Sequence, residues 1–287
     1  MVDAKASSEK EIKMSSILTN NSAMVALQNL KQINQNLATT QNEISTGKKI
    51  SKAQDNSAMW AISKVMESDV SGFKAVSSAL ALGESTVAVA STGAEKITDL
   101  LKEIKEKVVA ATGSNVDHSK IGSDVTELKD QVTSIIAASQ FNGTNLLNSA
   151  GGDITILSSL DRDNSGTVTA SNITITAVDF EANLDLATID VTSAATAEAS
   201  LEQIESLIQK AVDGAAGLGA SIKRIQSQND FVSKIMDSMK AGIGSIVDAD
   251  MEEASARLQA LQVQQQLGVQ SLGIANKAPQ TLLSLFR

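Results

Sequence analysis

The feature of this sequence that most constrains its fold is an unbroken alternation of three- and four-residue steps between apolar or small residues, from residue 73 to residue 108. This spacing is typical of one face of an amphipathic α-helix. At about 1.5 Å per residue, such a helix is roughly 50 Å long. We therefore predict a rod-like helix, ended by the Gly-containing segment 112–115. Its seam consists of Phe73, Val76, Leu80, Gly83, Val87, Ala90, Ala94, Ile97, Leu101, Ile104 and Val108.

The same step recurs in both halves of the chain. An N-terminal seam is interrupted at Gly47, a shorter one covers residues 121–135, and a long one holds over residues 201–246 before the register changes. Such patterns are typical of coiled coils, and an ordinary antiparallel helical bundle is the alternative that remains open. The N-terminal seam is Ala23, Ala26, Leu30, Ile33, Leu37, Thr40 and Ile44, and the new register after residue 246 is Val247, Met251, Ala254, Leu258 and Leu261.

Only the middle of the chain has a different pattern. Residues 154–156, 167–169 and 173–176 alternate with period two and are rich in β-branched side chains, and residues 163–166 are typical of a turn. Helices that are distant in sequence and have no other core are expected to pack on each other. We therefore predict a mainly α fold: a long antiparallel coiled-coil-like helical bundle from the N- and C-terminal halves, with a small central β insertion.

Composition excludes several classes of function. The chain has 24 basic and 33 acidic residues, a net charge of −9, which argues against nucleic-acid binding. It has no Cys and a single His, so it cannot build a disulfide, a thiolate metal site or a multi-histidine zinc site. No stretch is apolar enough for membrane insertion, and the first thirteen residues lack the apolar core of a secretory signal. We predict no catalytic residues, no metal and no cofactor.

Three local patterns suggest a ligand site, and each has a simpler interpretation. Residues 161–166 resemble the start of a calcium loop, but Asn172 stands at the position of the bidentate Glu, which favours a polar turn. Gly214, Gly217 and Gly219 lack the spacing of a nucleotide loop and favour close helix packing instead. His118 follows Asp117 in a predicted interhelical loop, where a solvent-exposed role without chemistry is favoured.

Several motifs resemble bacterial flagellins in residues 14–148 and 200–287. The C-terminal sequence LQVQQQLGVQSLGIANKAPQTLLSLFR, residues 261–287, is similar to the C-terminal signature of that family. Residues 17–63 resemble its N-terminus, and residues 138–147 resemble a further flagellin segment. The matching N-terminal residues are Asn20, Asn29-Leu30, Ser45-Thr46-Gly47-Lys48-Lys49-Ile50 and Ala61-Ile62-Ser63; elsewhere they are Phe141-Asn142-Gly143, Leu146-Leu147 and Leu218-Gly219-Ala220.

Two departures from the family pattern are informative. Trp60 stands where flagellins usually carry a smaller residue. Flagellins normally begin near a position equivalent to Met14, so residues 1–13 are interpreted as an extra segment from an upstream start codon or from cloning, and Ser15 as the mature end. The central insertion is short for the family, which implies one small outer domain.

The resemblance implies a layered architecture. In flagellins the terminal helices line the innermost tube of the filament, longer helices surround it, and the middle of the chain projects outward. On this pattern, residues 14–50 and 247–287 form the inner-tube helices after the extra segment 1–13. Residues 51–148 and 200–246 then form the two halves of the rod layer, and residues 149–199 form the outer insertion.

The residues expected to carry this function are seam positions rather than a pocket. Those assigned to self-assembly are Leu30, Leu37, Ile44, Leu258, Leu261 and Leu272. Those assigned to packing in the rod layer are Phe73, Leu80, Val87, Leu101, Ile222, Val232 and Met239.

The resemblance implies a filament subunit for swimming motility, located outside the cell and exported without a cleavable signal peptide. Its partners would be other copies or sibling flagellins, an export chaperone, the filament cap and hook-associated proteins. The alternative is a flagellin-like protein that joins hook and filament or binds at the cell surface. An enzyme within the central segment is disfavoured, because too few residues are available to enclose a pocket.

Overall fold

The structure is a computed structural model that describes residues 19–163 and 165–285, with side chains described as far as Lys277. The predicted mainly helical class is confirmed. The predicted extra segment, residues 1–13, lies outside the described residues. The helices are α1 Asn21–Thr46, α2 Ser57–Ala111, α3 His118–Ala138, α4 Phe180–Asn183, α5 Ala194–Val247 and α6 Met251–Leu285, and the strands are β1 Gln140–Phe141, β2 Thr144–Asn145, β3 Ile154–Arg162 and β4 Val168–Ile175.

The predicted seam of α2 is confirmed, because all eleven of its positions are buried. The helix ends at Ala111, just before the predicted stop. It begins at Ser57, well before the seam, since the Asn56 side chain accepts a hydrogen bond from the Met59 amide at 3.1 Å. That contact satisfies one of the amides that a helix N-terminus leaves without a partner.

The chain divides into two compact units, and the first contains the described residues of 1–65 and 242–287. In it α1 packs against α6. The two helices are antiparallel, because Asn20 donates to the Ala275 carbonyl at 2.7 Å while Gln265 donates to Asn34 at 2.7 Å. Their approach is close at Gly268, where a Cβ atom would lie 3.1 Å from Leu30 Cδ1.

A small backbone bridge ties together the two helix interruptions of this first unit. Gly47, with φ of 68°, ends α1, as predicted from its sequence. The Lys49 amide donates to the Val247 carbonyl at 2.8 Å, and the Ala249 amide donates to the Gly47 carbonyl at 3.0 Å. The Asp250 carboxylate then accepts amide hydrogen bonds at the start of α6. The register change predicted after residue 246 is therefore a break between two helices.

The linker between α1 and α2 is organised by Asp55. Its Oδ2 atom accepts the backbone amides of Lys52 and Ser51, each at 2.9 Å. The Lys52 amide has the larger effect and the Ser51 amide the next. Both stabilise the charged form of Asp55 and thereby hold its pKa below its ordinary value.

We expect acid to loosen this linker. Because the folded-state pKa of Asp55 is lowered, its charged form stabilises the folded linker. This stabilisation is fully present above the ordinary carboxyl pKa of about 4 and is lost as the pH falls through the folded-state pKa. Hydrogen exchange of the Ser51 and Lys52 amides, corrected for intrinsic rates, should lose protection below about pH 4. In Asp55→Asn the residual protection should not change over this range. Equal pH dependence in both proteins would contradict the role of Asp55.

The second unit contains residues 66–241, and there α2 and α5 run antiparallel. Ser77 donates to Asn229 at 2.7 Å, and further along α2 Lys105 pairs with Glu205. Apolar side chains of α2, α3 and α5 form one continuous core with the segment that follows α3. The predicted pairing of N- and C-terminal helical halves therefore holds within this unit.

The β3–β4 hairpin packs on α2 at positions without side chains. A Cβ atom on Gly83 would lie 2.2 Å from Ile156 Cδ1, and one on Gly72 would lie 2.8 Å from Leu160 Cδ1. Near the hairpin turn, Arg162 forms an ion pair with Asp69. The runs predicted at 167–169 and 173–176 belong to a single strand, β4.

The structure tests the interpretations of Asp163 and His118. The Asp163 carboxylate accepts the amides of Ser165 at 2.9 Å and Thr167 at 2.8 Å, so the predicted polar turn is confirmed. His118 does not lie in a loop, which corrects the sequence-based placement. It is the first residue of α3, capped by Asp117, and its Nδ1 atom is buried without a hydrogen-bond partner among the described residues.

The region around β1 and β2 was not predicted from the period-two pattern. These two-residue strands are joined by Asn142 and Gly143, both with positive φ, as a tight hairpin turn requires. Phe180 of α4 is buried against Gly214, whose added Cβ atom would lie 2.7 Å from the ring. Close packing is thus correct for Gly214 and wrong for Gly217 and Gly219, which have nothing within 4 Å of an added Cβ atom.

Candidate self-assembly surface

Exposed apolar side chains concentrate in the first unit. Of the sixteen large apolar side chains that are exposed among the described residues, eleven lie there, although it is the smaller unit. Such a concentration of exposed apolar side chains makes this unit the candidate contact surface. The eleven are Met24, Val25 and Leu27 on α1, Met59, Ile62 and Val65 on α2, and Met251, Val263, Leu267, Val269 and Ile274 on α6.

Most of these side chains lie in two stretches of α1 and α6 that are almost without charge. Lys31 is the only charged residue in 19–42, and none occurs in 258–276. Their exposed polar groups are mostly Asn and Gln amides. Burying an amide that finds a new hydrogen bond costs much less than burying an unpaired charge. Both the apolar and the polar parts of this surface are therefore suited to burial in a protein contact.

The residues predicted for self-assembly lie on the opposite, inward-facing side of these helices. Leu261 is buried, and the other five predicted positions are half-buried. On α1, the predicted seam residues occupy the less exposed face throughout. These side chains hold α1 and α6 together within one chain, and their part in contacts between copies stays a prediction. The outward residues Met24, Val25 and Leu27 were missed, although their off-seam apolar character in a polar helix was a visible signal.

The residues predicted for the rod layer lie in the core of the second unit or against it. Five of them are buried, whereas Ile222 and Met239 are partly buried and pack against the same core. Their assignment to a layer of a filament stays a prediction. The five buried positions are Phe73, Leu80, Val87, Leu101 and Val232.

The second unit also holds a half-buried cation. Lys129 Nζ donates to the Ile189 carbonyl at 2.6 Å and thereby joins α3 to the segment before α5. Burial lowers the pKa of Lys129, and the charge of nearby Asp190 partly opposes this effect. The role of Lys129 is therefore structural: its hydrogen bond connects α3 to the segment before α5.

In residues 19–163 and 165–285, no group of His, Asp and Glu side chains is placed to hold a metal ion. Within the same described ranges, no helix combines the length and the apolarity that crossing a membrane requires.

Comparison with known proteins identifies the family of the chain. Residues 17–151 match the bacterial flagellin N-terminal helical region, and residues 201–286 match the bacterial flagellin C-terminal helical region. A flagellin of Brucella melitensis biotype 1 is 41% identical over 285 residues, covering 96% of this chain and 100% of that protein. The chain belongs to the bacterial flagellin family.

Other flagellins show comparable similarity. Flagellin FljN of Caulobacter vibrioides is 40% identical over 96% of this chain and 99% of its own, and flagellin C of Rhizobium meliloti is 38% identical over 96% and 100%. A crystal structure of Bacillus cereus flagellin aligns with a TM-score of 0.43 and 22% identity, covering 56% of this chain and 88% of that one.

Family membership sets the general function. Flagellins are structural proteins that self-assemble into the bacterial flagellar filament, so this chain is a filament subunit and not an enzyme. The matches do not favour the alternative of a hook–filament junction or cell-surface binding protein. Both helices of the first unit's antiparallel pair, α1 and α6, lie wholly inside the matched flagellin segments.

Proposed function

We propose that the α1–α6 pair of this flagellin builds the inner tube of the filament and that its exposed apolar face is the main contact between copies. In this proposal residues 14–50 and 247–287 supply the tube. Residues 51–148 and 200–246 supply the surrounding rod layer, and residues 149–199 supply the outward insertion.

The observation that carries this proposal is that exposed apolar groups and a near absence of charge coincide in the same stretches of α1 and α6, residues 19–42 and 258–276. Val263, Leu267, Val269 and Ile274 are each more than half exposed on α6, within a stretch that has no charged residue. In an isolated chain this surface stays in contact with water at a cost in free energy. In a polymer each copy covers the exposed apolar surface of its neighbours.

Such a contact is compatible with an open filament. The exposed groups lie on two helices, and in this proposal the α1 surface of one copy meets the α6 surface of the next, so that different patches are joined. Contacts between different patches of identical subunits are heterologous, and they produce open helical assemblies when the rotation does not close a ring. A single chain type is therefore sufficient to build a long tube.

The remaining parts of the proposal concern partners and location. Other copies or sibling flagellins share the filament, outside the cell. An export chaperone, the filament cap and hook-associated proteins contact the chain during and after export, which proceeds without a cleavable signal peptide. These assignments follow the flagellin family and are tested by co-purification of each partner with the monomer.

The first experiment is negative-stain microscopy of purified protein after addition of sulfate, which favours burial of apolar surface. Both the full chain and a version that begins at Ser15 should be used. Long uniform filaments are the expected result. Persistent monomers, under conditions in which a known flagellin polymerises, would refute self-assembly as an intrinsic property of the chain.

A double substitution tests which surface makes the contact. Val263→Ser with Leu267→Ser removes two exposed apolar side chains, so the monomer should keep its stability. The critical concentration for polymerisation should rise at least about tenfold, because a tenfold change needs the loss of only about 1.4 kcal/mol of contact free energy. Sedimentation of polymer from monomer measures it. The matched control is Val212→Ser on α5, which is also exposed and should change the value by less than about twofold. Equal effects in both proteins would remove the outward face of α6 from the contact.

A further inference from the structure

The methionines of the chain differ in exposure between the two units. Six of them have side chains that the structure describes. Met24, Met59 and Met251 are 62%, 43% and 43% exposed, and all three lie in the first unit. The three partly buried ones, all in the second unit, are Met66, Met236 and Met239. Exposed thioether groups among the described residues are therefore confined to the unit that carries the candidate contact surface.

Met24 is the most exposed of these methionines and lies within the stretch that carries the proposed contact. It stands off the seam of α1, between Ala23 and Ala26, and its side chain faces solvent. Lys31 is the only charged residue of this stretch, 19–42. A thioether is a flexible apolar group that fits irregular protein surfaces. A change in polarity at this sulfur therefore alters the contact surface and leaves the packing of the monomer intact.

We propose that Met24, together with Met59 and Met251, is a site of reversible oxidation by peroxide that prevents unassembled chains from polymerising. The inference rests on the self-assembly surface proposed above and adds a chemical modification that acts on it. The chain has no cysteine, so thioethers are its only sulfur groups. The sulfur atom bonds to one oxygen of hydrogen peroxide as the O–O bond breaks. The thioether loses two electrons and becomes a sulfoxide, and the peroxide is reduced to water.

The effect of this oxidation falls on the polymer rather than on the monomer. A sulfoxide oxygen is a polar acceptor that water hydrates on the surface of the free chain. When the same group is buried in an apolar contact, it loses that water at a cost in free energy. The partly buried methionines of the second unit react more slowly, because susceptibility follows exposure.

Assembly should in turn protect Met24. The contact covers this side chain in a filament, so peroxide should oxidise it at least about tenfold more slowly there than in the monomer. Mass spectrometry of proteolytic peptides after timed peroxide exposure gives the rate at each methionine. In the monomer, Met24 should react faster than Met239. Equal rates at Met24 in monomer and filament would contradict its burial on assembly.

Polymerisation of peroxide-treated monomer tests the consequence. The treated chain should keep its circular dichroism spectrum, while its critical concentration for polymerisation rises at least about tenfold. Treatment with methionine sulfoxide reductases should restore the original value. The combined variant Met24→Leu, Met59→Leu and Met251→Leu should polymerise equally well before and after peroxide, because leucine keeps the apolar volume and cannot be oxidised in this way.

The matched control carries the same substitutions in the second unit. A chain in which the three partly buried methionines are leucine retains the exposed thioethers, so peroxide should still raise its critical concentration at least about tenfold. The substituted positions are Met66→Leu, Met236→Leu and Met239→Leu.

A single substitution tests the polarity argument without any oxidant. Met24→Gln introduces a polar group of similar length and should raise the critical concentration at least about fivefold, with the monomer's melting temperature unchanged. Leu82→Gln makes a comparable change at an exposed position of α2 in the second unit, and it should alter the value by less than about twofold.

The outcomes separate this inference from the proposed function. If the untreated chain polymerises and the chain with Met24 converted to sulfoxide does so equally well, the oxidation inference fails and self-assembly stands. If the untreated chain forms no filaments, both fail. A loss of polymerisation after peroxide that persists in the combined variant lacking Met24, Met59 and Met251 would also overturn the assignment to these residues.

Discussion

Replacement of Leu261 by aspartate is expected to detach α6 from α1 and to abolish filament formation. Leu261 is only 7% exposed and faces the seam of the first unit. An unpaired carboxylate in such a place costs about 3–5 kcal/mol, more than one apolar contact recovers. Hydrogen exchange of the α1 and α6 amides should show complete loss of protection in the monomer. Microscopy should show no filaments, and Leu272→Asp should act in the same direction.

The adjacent residue supplies the control. Gln262→Asp places the same charge on the exposed side of α6, so the monomer should keep the protection of its α1 and α6 amides. The core of the second unit should be unaffected in both variants, because its side chains form a separate compact unit. Normal filaments from Leu261→Asp would refute both the seam and the inner-tube assignment.

Replacement of Leu80 by alanine is expected to lower the free energy of unfolding of the second unit by about 2–5 kcal/mol. Leu80 is on α2, has no exposed surface and lies in the core of the second unit. It is three residues before Gly83, on which the hairpin packs. Loss of the side chain leaves a cavity that these tightly packed neighbours fill only partly. Urea denaturation followed by circular dichroism gives the change from the shift in midpoint at constant slope.

Leu82 is the matched control for this substitution. It lies two residues further along α2 and is 56% exposed, so Leu82→Ala should change the free energy of unfolding by no more than about 0.5 kcal/mol. The two variants differ in the burial of the same side chain. Equal destabilisation would mean that the burial inferred from the 3,4 spacing is wrong.

The long helices were predictable because burial is periodic in them. In α2 each seam residue from Phe73 to Val108 is buried, since a helix that packs along its whole length presents one face to the core. The start of α2 at Ser57 was not predicted, because the capping contact of Asn56 is local and carries no periodic signal. The β1–β2 hairpin was missed for a similar reason: two-residue strands are too short to show alternation.

The candidate surface was only partly predictable. The spacing of Leu30, Leu37 and Leu261 identified the inward face of the helices. Which apolar residues remain exposed depends on what the partner helix covers, and this is a property of the assembled pair. Phe231 illustrates the point: it stands beside Val232 in sequence, and only the packing of α5 on the core places one outside and the other inside.

The sequence by itself determined the helical class, the antiparallel pairing of the chain's two halves, the β insertion and the flagellin family, because periodicity and local motifs encode them. The tertiary structure decided that Ile156 and Leu160 pack on Gly83 and Gly72. It also decided that backbone hydrogen bonds join the helix breaks at Gly47 and Val247, and which apolar side chains remain exposed. These features arise from contacts between residues far apart in the chain. A periodic pattern fixes the face that each helix buries, whereas the neighbour that covers it is chosen only when the helices pack.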